Sequence, residues 1–149
     1  MNILCIVQSM FESNGCDTYH GETLMFTTQD EDQAINWLAT EIFNNWRDKH
    51  YGKNSAVTLA DSFIVVNGYA PQGWIEGSEH IEVPEAEANV MFRVILSAES
   101  KSDKMKSEFI RKKKEEEAAK QRARDEEDRA TYERLREKFS KGASGAILP

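Results

Sequence analysis

Residues 89–97 read NVMFRVILS, with apolar side chains at nearly every step. Val90, Phe92, Val94 and Leu96 alternate with Met91, Arg93, Ile95 and Ser97, a period of two that predicts a β-strand. The second face of that strand is itself partly apolar. One helix laid on one side of a sheet therefore leaves apolar surface that another element must cover.

Upstream, residues 69–88 contain Pro71, Gly73, Gly77 and Pro84 together with Glu76, Glu79, Glu82, Glu85 and Glu87. These predict a long acidic loop, with a short strand near His80 to Val83, and loops of that length are more often functional or mobile than inert. Before it, Ala56 to Val66 predicts one bent strand or two short ones, closed by the turn dipeptide Asn67-Gly68. At the start of the chain, Ile3 to Val7 is apolar throughout, as in a strand covered on both faces. Residues 12–21, ESNGCDTYHG, predict a loop, and Glu22 to Thr27 a second strand with Leu24 and Phe26 on one face and Met25 on the other.

Between the second and third strands lies an amphipathic helix. Thr28 with Glu31 suggests a capping box, Asp30, Glu31 and Asp32 suit the helix dipole, and Arg47, Lys49 and Gly52 supply a stop. Ile35, Leu38, Ala39, Ile42, Phe43 and Trp46 share one side, while Trp37 points about 160° from the centre of that stripe. Trp37 is thus either covered by another segment or available to a partner.

Downstream of the quoted stretch, Lys101 to about Lys141 has no Pro or Gly before its end and is rich in Glu, Lys, Arg and Ala, which predicts a helix about 60 Å long at about 1.5 Å per residue. Its first turns offer Met105, Phe109 and Ile110, and its last turns Tyr132, Leu135 and Phe139. The seam between them, Lys112, Glu116, Ala119, Ala123, Glu126 and Ala130, is too polar to specify a coiled coil unaided. Pairs such as Arg111 with Glu115 and Arg122 with Glu126 each add about 0.2–0.5 kcal/mol and hold the helix without a core.

Charge is segregated along the chain. Of a net −7, residues 1–100 carry −11 and residues 101–149 carry +4. An acidic body and a charge-dense basic tail bear on partners more than on fold. Cys5 and Cys16 form no metal-knuckle or disulfide pattern and fit a reducing compartment. No apolar run approaches the roughly 18 residues a membrane span requires, and the N-terminal run lacks the flanks of a signal peptide. The expectation is a cytoplasmic protein without a membrane partner.

Chemistry-bearing clusters are sparse. Cys16 and His20, with Cys5, His50 or His80 recruited, are one combination for a metal or nucleophilic site, and no regular spacing brings them together. The glutamates of the acidic loop are another, as paired carboxylates or divalent-metal ligands, but evenly scattered Glu among Pro and Gly is more often a solvated loop. Phosphate-binding glycine motifs are absent. Lys112, Lys113, Lys114, Arg122 and Arg124 could contact nucleic acid, but Glu115 to Glu117 and Asp125 to Asp128 cancel their field within a Debye length of about 8–10 Å.

The stretch FTTQDEDQAINWLATEIF, following two strands, resembles a β-β-α module of small bacteriophage proteins, and YERLREKF near the end is similar to their tails. The resemblance spans roughly residues 3–46 and the tail. It implies no catalytic residue; it implies a viral context, the host cytoplasm, and binding that redirects a host macromolecule.

The sequence thus predicts an α+β protein, a small mainly antiparallel sheet with one packed amphipathic helix, followed by a long charged C-terminal helix. Its domains are an acidic body at 1–100, the helix at 101–141 and a flexible end at 142–149. The expected function is a non-enzymatic protein-interaction module without cofactor or metal, an inhibitor or adaptor whose body engages a basic surface through Trp37, Glu76, Glu79, Glu82, Glu85 and Glu87. The C-terminal helix would add self-association. The alternative is a nucleic-acid-binding accessory protein using Lys112 to Lys114, Arg122 and Arg124.

Overall fold

The computed structural model describes residues 1–13, 17–52, 57–71 and 82–143, with side chains described within 1–9, 21–52, 62–71 and 82–142. Five elements follow one another: β1 (Ile3–Ser13), β2 (Asp17–Thr28), α1 (Glu31–Tyr51), β3 (Val57–Val66) and α2 (Glu85–Ala143). They fall into two compact units, Met1–Ser107 and Glu108–Pro149.

In the first unit the strands form one antiparallel sheet in the order β2-β1-β3. β1 is central because it is apolar on both faces: Ile3, Cys5 and Val7 are buried on one, and Ile6 is buried with Leu4 half-buried on the other. Cys5 lies opposite Phe26 of β2 and Ile64 of β3, which sets the inner face. β2, at an edge, has the expected single apolar face, with Leu24 and Phe26 half-buried and Met25 exposed. The loop expected at residues 12–21 is shorter than its composition suggests, because β1 continues to Ser13 and β2 begins at Asp17. Ladder hydrogen bonds do not depend on apolar side chains, so pairing extends across polar positions after a register shift between Gln8 and Met10.

α1 is capped by Asp30. One of its carboxylate oxygens accepts from the backbone N–H groups of Asp32 and Gln33 at 2.8 and 3.2 Å. Thr28 instead accepts from the Asp30 N–H at 3.1 Å and donates to the Gln33 side-chain oxygen at 3.0 Å, which corrects the Thr28–Glu31 capping box. Asp30 wins because its acceptor lies directly before the first turn, and Glu31 is left for a contact described below. At the other end the Gly52 N–H donates to the Asp48 carbonyl at 3.0 Å, and a Cβ on Gly52 would stand 2.4 Å from that oxygen. Ala34, Leu38 and Ala39 are buried, with Ile35, Trp37 and Ile42 packed at the margin of the same core.

β3 is followed by Asn67 and Gly68, with φ of 51° and 87°, as a two-residue turn with both central residues left-handed requires. Val66 and Tyr69 exchange both backbone hydrogen bonds across it, at 3.0 and 2.9 Å. Asn67 also bonds Asn2 in both directions, through its backbone N–H at 2.8 Å and its side-chain oxygen at 2.9 Å, pinning the turn to the start of β1.

The stretch at 89–97 is helical, not a strand. α2 starts at Glu85, with the Pro84 carbonyl accepting from the Ala88 N–H at 3.0 Å. Pro84 is well placed there, since its missing N–H is not needed at a helix start. Val90, Val94, Ala98 and Ser102 are buried at successive intervals of four, and Met105 packs beside them, whereas Phe92 and Leu96 are exposed. A run apolar at almost every position carries no unique period. The helix formers on either side, Glu85 to Ala88 and Ala98 to Glu99, continue through it. This helical segment takes the place of the expected fourth strand. Of the predicted acidic loop, residues 85–88 are helix; of the short strand expected near His80 to Val83, residues 80 and 81 lie outside the described residues, and Glu82 and Val83 are not in a strand.

Both helices contribute to one core. Val90, Met91, Val94 and Ala98 join Ala34, Leu38 and Ala39 against Ile3, Cys5, Val7, Ile64 and Val66. Polar contacts tie the helices together at their rims: the Arg93 guanidinium donates to both carboxylate oxygens of Glu31 at 2.8 and 3.3 Å, and the Lys101 ammonium donates to the Asn36 side-chain oxygen. The sheet and helices form the antiparallel α+β arrangement read from the sequence.

In the second unit α2 continues to Ala143, and every side chain from Lys114 to Gly142 is exposed. Arg111 pairs with Glu115 at 2.8 Å, Lys113 with Glu116 at 3.5 Å, and Gln121 donates to Asp125 at 2.7 Å. Phe109, Ile110 and Lys113 are half-buried, and beyond them local pairs of this kind support a helix with no core to lean on. Among the described residues, no helix is long and apolar enough to cross a membrane.

Candidate protein-interaction surface

The first turns of α2 and the chain leading into them build the most distinctive surface of the body. Pro71, Val83, Ala88, Met91, Phe92 and Ile95, with Glu82 at the rim, line a groove of about 470 Å³. α2 turns Val90 and Val94 inward, and the same rotation leaves Phe92 at 66% and Leu96 at 62% of their full exposure, one turn apart on the outer side. Large apolar side chains this exposed on a helix already anchored by its other face are uncommon away from contact surfaces. Glu82, at the groove, is exposed, as is Glu85 in the first turn of α2. Glu87, half-buried, accepts from the Asn67 side-chain amide at 3.1 Å and so fixes the first turn of α2 to the β3 turn.

The glutamates singled out in the sequence therefore divide. Glu82 and Glu85 are exposed, Glu87 is engaged within the body, and Glu76 and Glu79 lie outside the described residues. Trp37 is half-buried and stacked on Phe26, with ring centroids 5.4 Å apart and planes 13° from parallel. The edge strand β2 supplies this contact. Phe92 and Leu96 were missed because a strand reading puts them on the same face as Val90 and Val94. Ala98, Ser102 and Met105, which extend Val90 and Val94 at helical spacing, are the signal that separates them.

Chemical clusters are otherwise thin. Cys5 is a buried core residue whose thiol pKa is pushed up to about 11 by that burial, which keeps it protonated and a poor nucleophile. His50 makes a 2.8 Å hydrogen bond through Nδ1 with the Trp46 carbonyl. Cys16, His80 and the His20 side chain lie outside the described residues. Among the described residues no three His, Cys, Asp or Glu side chains converge as a metal-ligand set.

On the second unit the cations proposed for nucleic acid are solvated and interrupted by acids. Lys112, Lys114, Arg122 and Arg124 are exposed, and Lys113 lies 5.9 Å from the Phe109 ring centroid while pairing with Glu116. No protein-family model matches the chain, nor does any curated protein or solved structure.

Proposed function

We propose that this protein is a non-enzymatic interaction module whose acidic body grips a basic, apolar-tipped segment of another protein. The observation that carries this is the conjunction at the start of α2: an apolar groove with Glu82 at its rim, the exposed Phe92 in its wall and Leu96 one turn on, and the exposed Glu85 in the helix's first turn. Apolar anchors surrounded by charge are the usual anatomy of a contact surface, with the anchors supplying affinity and the charges steering the approach. A net charge of −11 over residues 1–100 favours a partner of opposite sign. The likeness of FTTQDEDQAINWLATEIF to small phage proteins supports a role as a virus-encoded inhibitor or adaptor in the host cytoplasm.

Affinity capture from host lysate, with and without nuclease, tests this when run beside two variants, Phe92→Asp with Leu96→Asp and Glu82→Lys with Glu85→Lys. Proteins retained by the parent chain after nuclease should be lost by at least about tenfold from both. Retention unchanged by both variants would remove the groove from the account, and loss of all retained protein on nuclease treatment would favour nucleic-acid binding.

A further inference from the structure

We infer that the charged helix of the second unit is self-complementary and pairs antiparallel with the same helix of a second copy of this chain. Its charges run in blocks: cationic Arg111 to Lys114, anionic Glu115 to Glu117, cationic Lys120, Arg122 and Arg124, anionic Asp125 to Asp128. Reversing one copy about a point between Ala119 and Lys120 sets Arg111 opposite Asp128, Lys112 opposite Glu127, Lys113 opposite Glu126 and Lys114 opposite Asp125. The inner blocks follow, with Glu115 opposite Arg124 and Glu117 opposite Arg122. No like charges face each other between residues 108 and 131 in this register.

Because the outer blocks each span about one full helical turn of roughly 3.6 residues, their sign is presented in every direction around the helix. The match therefore does not depend on which side of the helix makes contact. A parallel pair in register would set every block against its own sign, and a staggered parallel pair would leave unpaired ends and grow without closing. Only the antiparallel arrangement satisfies all blocks within a closed dimer.

The local structure leaves these charges available. Lys112, Lys114, Lys120, Arg122, Arg124, Glu126, Glu127 and Asp128 are exposed and form no ion pair among the described residues. Around the reversal point Ala118, Ala119 and Ala123 are small and exposed, so two helices can approach closely there. The inference is independent of the groove on the first unit, and its occupant is a second copy of this chain.

Sedimentation equilibrium of the full chain is the test. Dimerisation should weaken at least about tenfold between low salt and about 0.5 M salt as screening shortens the Debye length. A variant with residues 111–114 changed to Glu, and another with residues 125–128 changed to Lys, should each be monomeric alone, with circular dichroism reporting whether the helix is kept. Mixed together they should form a heterodimer, because each reversed block then meets a block of opposite sign. In a background with Cys5→Ala and Cys16→Ser, Glu108→Cys and Thr131→Cys chains should cross-link to one another and not to themselves. A monomer at all salt concentrations, no rescue on mixing, or self-cross-linking of the Glu108→Cys chain would each overturn the inference.

Discussion

At the residue scale, Glu41 shows how this body tolerates its acidity. It lies on α1 beside Val7, Leu24 and Glu22, and desolvation, followed by the Glu22 carboxylate, raises its pKa above the usual carboxylate value. The folded state therefore binds this proton more tightly than the unfolded chain does. The resulting stabilisation is complete below the ordinary value of about 4.3 and is lost as pH rises through the raised folded value. At neutral pH the ionised group opposes folding, so Glu41→Gln should raise the Tm at pH 7, with the difference shrinking towards zero near pH 3. Thermal denaturation across that range checks it; an equal effect at both ends would show that the substitution acts through packing and not through charge. Ser102, buried with no partner for its hydroxyl among the described residues, is a second polar group whose place follows from the spacing of α2 and not from a bond.

At the element scale, α2 explains which parts of the fold were legible. β1, β2, α1 and the Asn67-Gly68 turn carried one clear signal each: an unbroken apolar run, an alternation, an amphipathic stripe, a dipeptide suited to positive φ. Residues 89–97 carried two, since period two and period four both bring Val90 and Val94 together, and only their environment decides between them. The exposed groove was hidden by the same ambiguity, because Phe92 and Leu96 change face with the choice of period. The charge blocks of the second unit were visible directly, having no burial to compete with. This reading predicts unequal costs along α2. Val94, fully buried, should lose about 1.5–3 kcal/mol on truncation to Ala. Phe92→Ala should stay within about 0.5 kcal/mol. Urea denaturation with unchanged m-values measures both, and similar costs at the two positions would argue against the assignment of faces.

At the scale of the whole molecule, each unit places charge differently. The first gathers negative charge around a core shared by three strands and two helices, and it exposes apolar side chains beside its rim glutamates. The second is exposed throughout from Lys114 to Gly142 and alternates its charges in sequence. The surface assigned to the first unit depends on α2 turning Val90 and Val94 to the core while Phe92 and Leu96 face solvent. Thiol accessibility reads this most directly. Single cysteines at positions 90, 92, 94 and 96, in a background with Cys5→Ala and Cys16→Ser, are labelled with a maleimide under native conditions. Cysteines at 92 and 96 should react at rates near those of an unfolded control, and cysteines at 90 and 94 at least about a hundredfold more slowly. Equal protection at all four positions would mean that one face carries them all, and the helix, its groove and the proposed contact would be contradicted together.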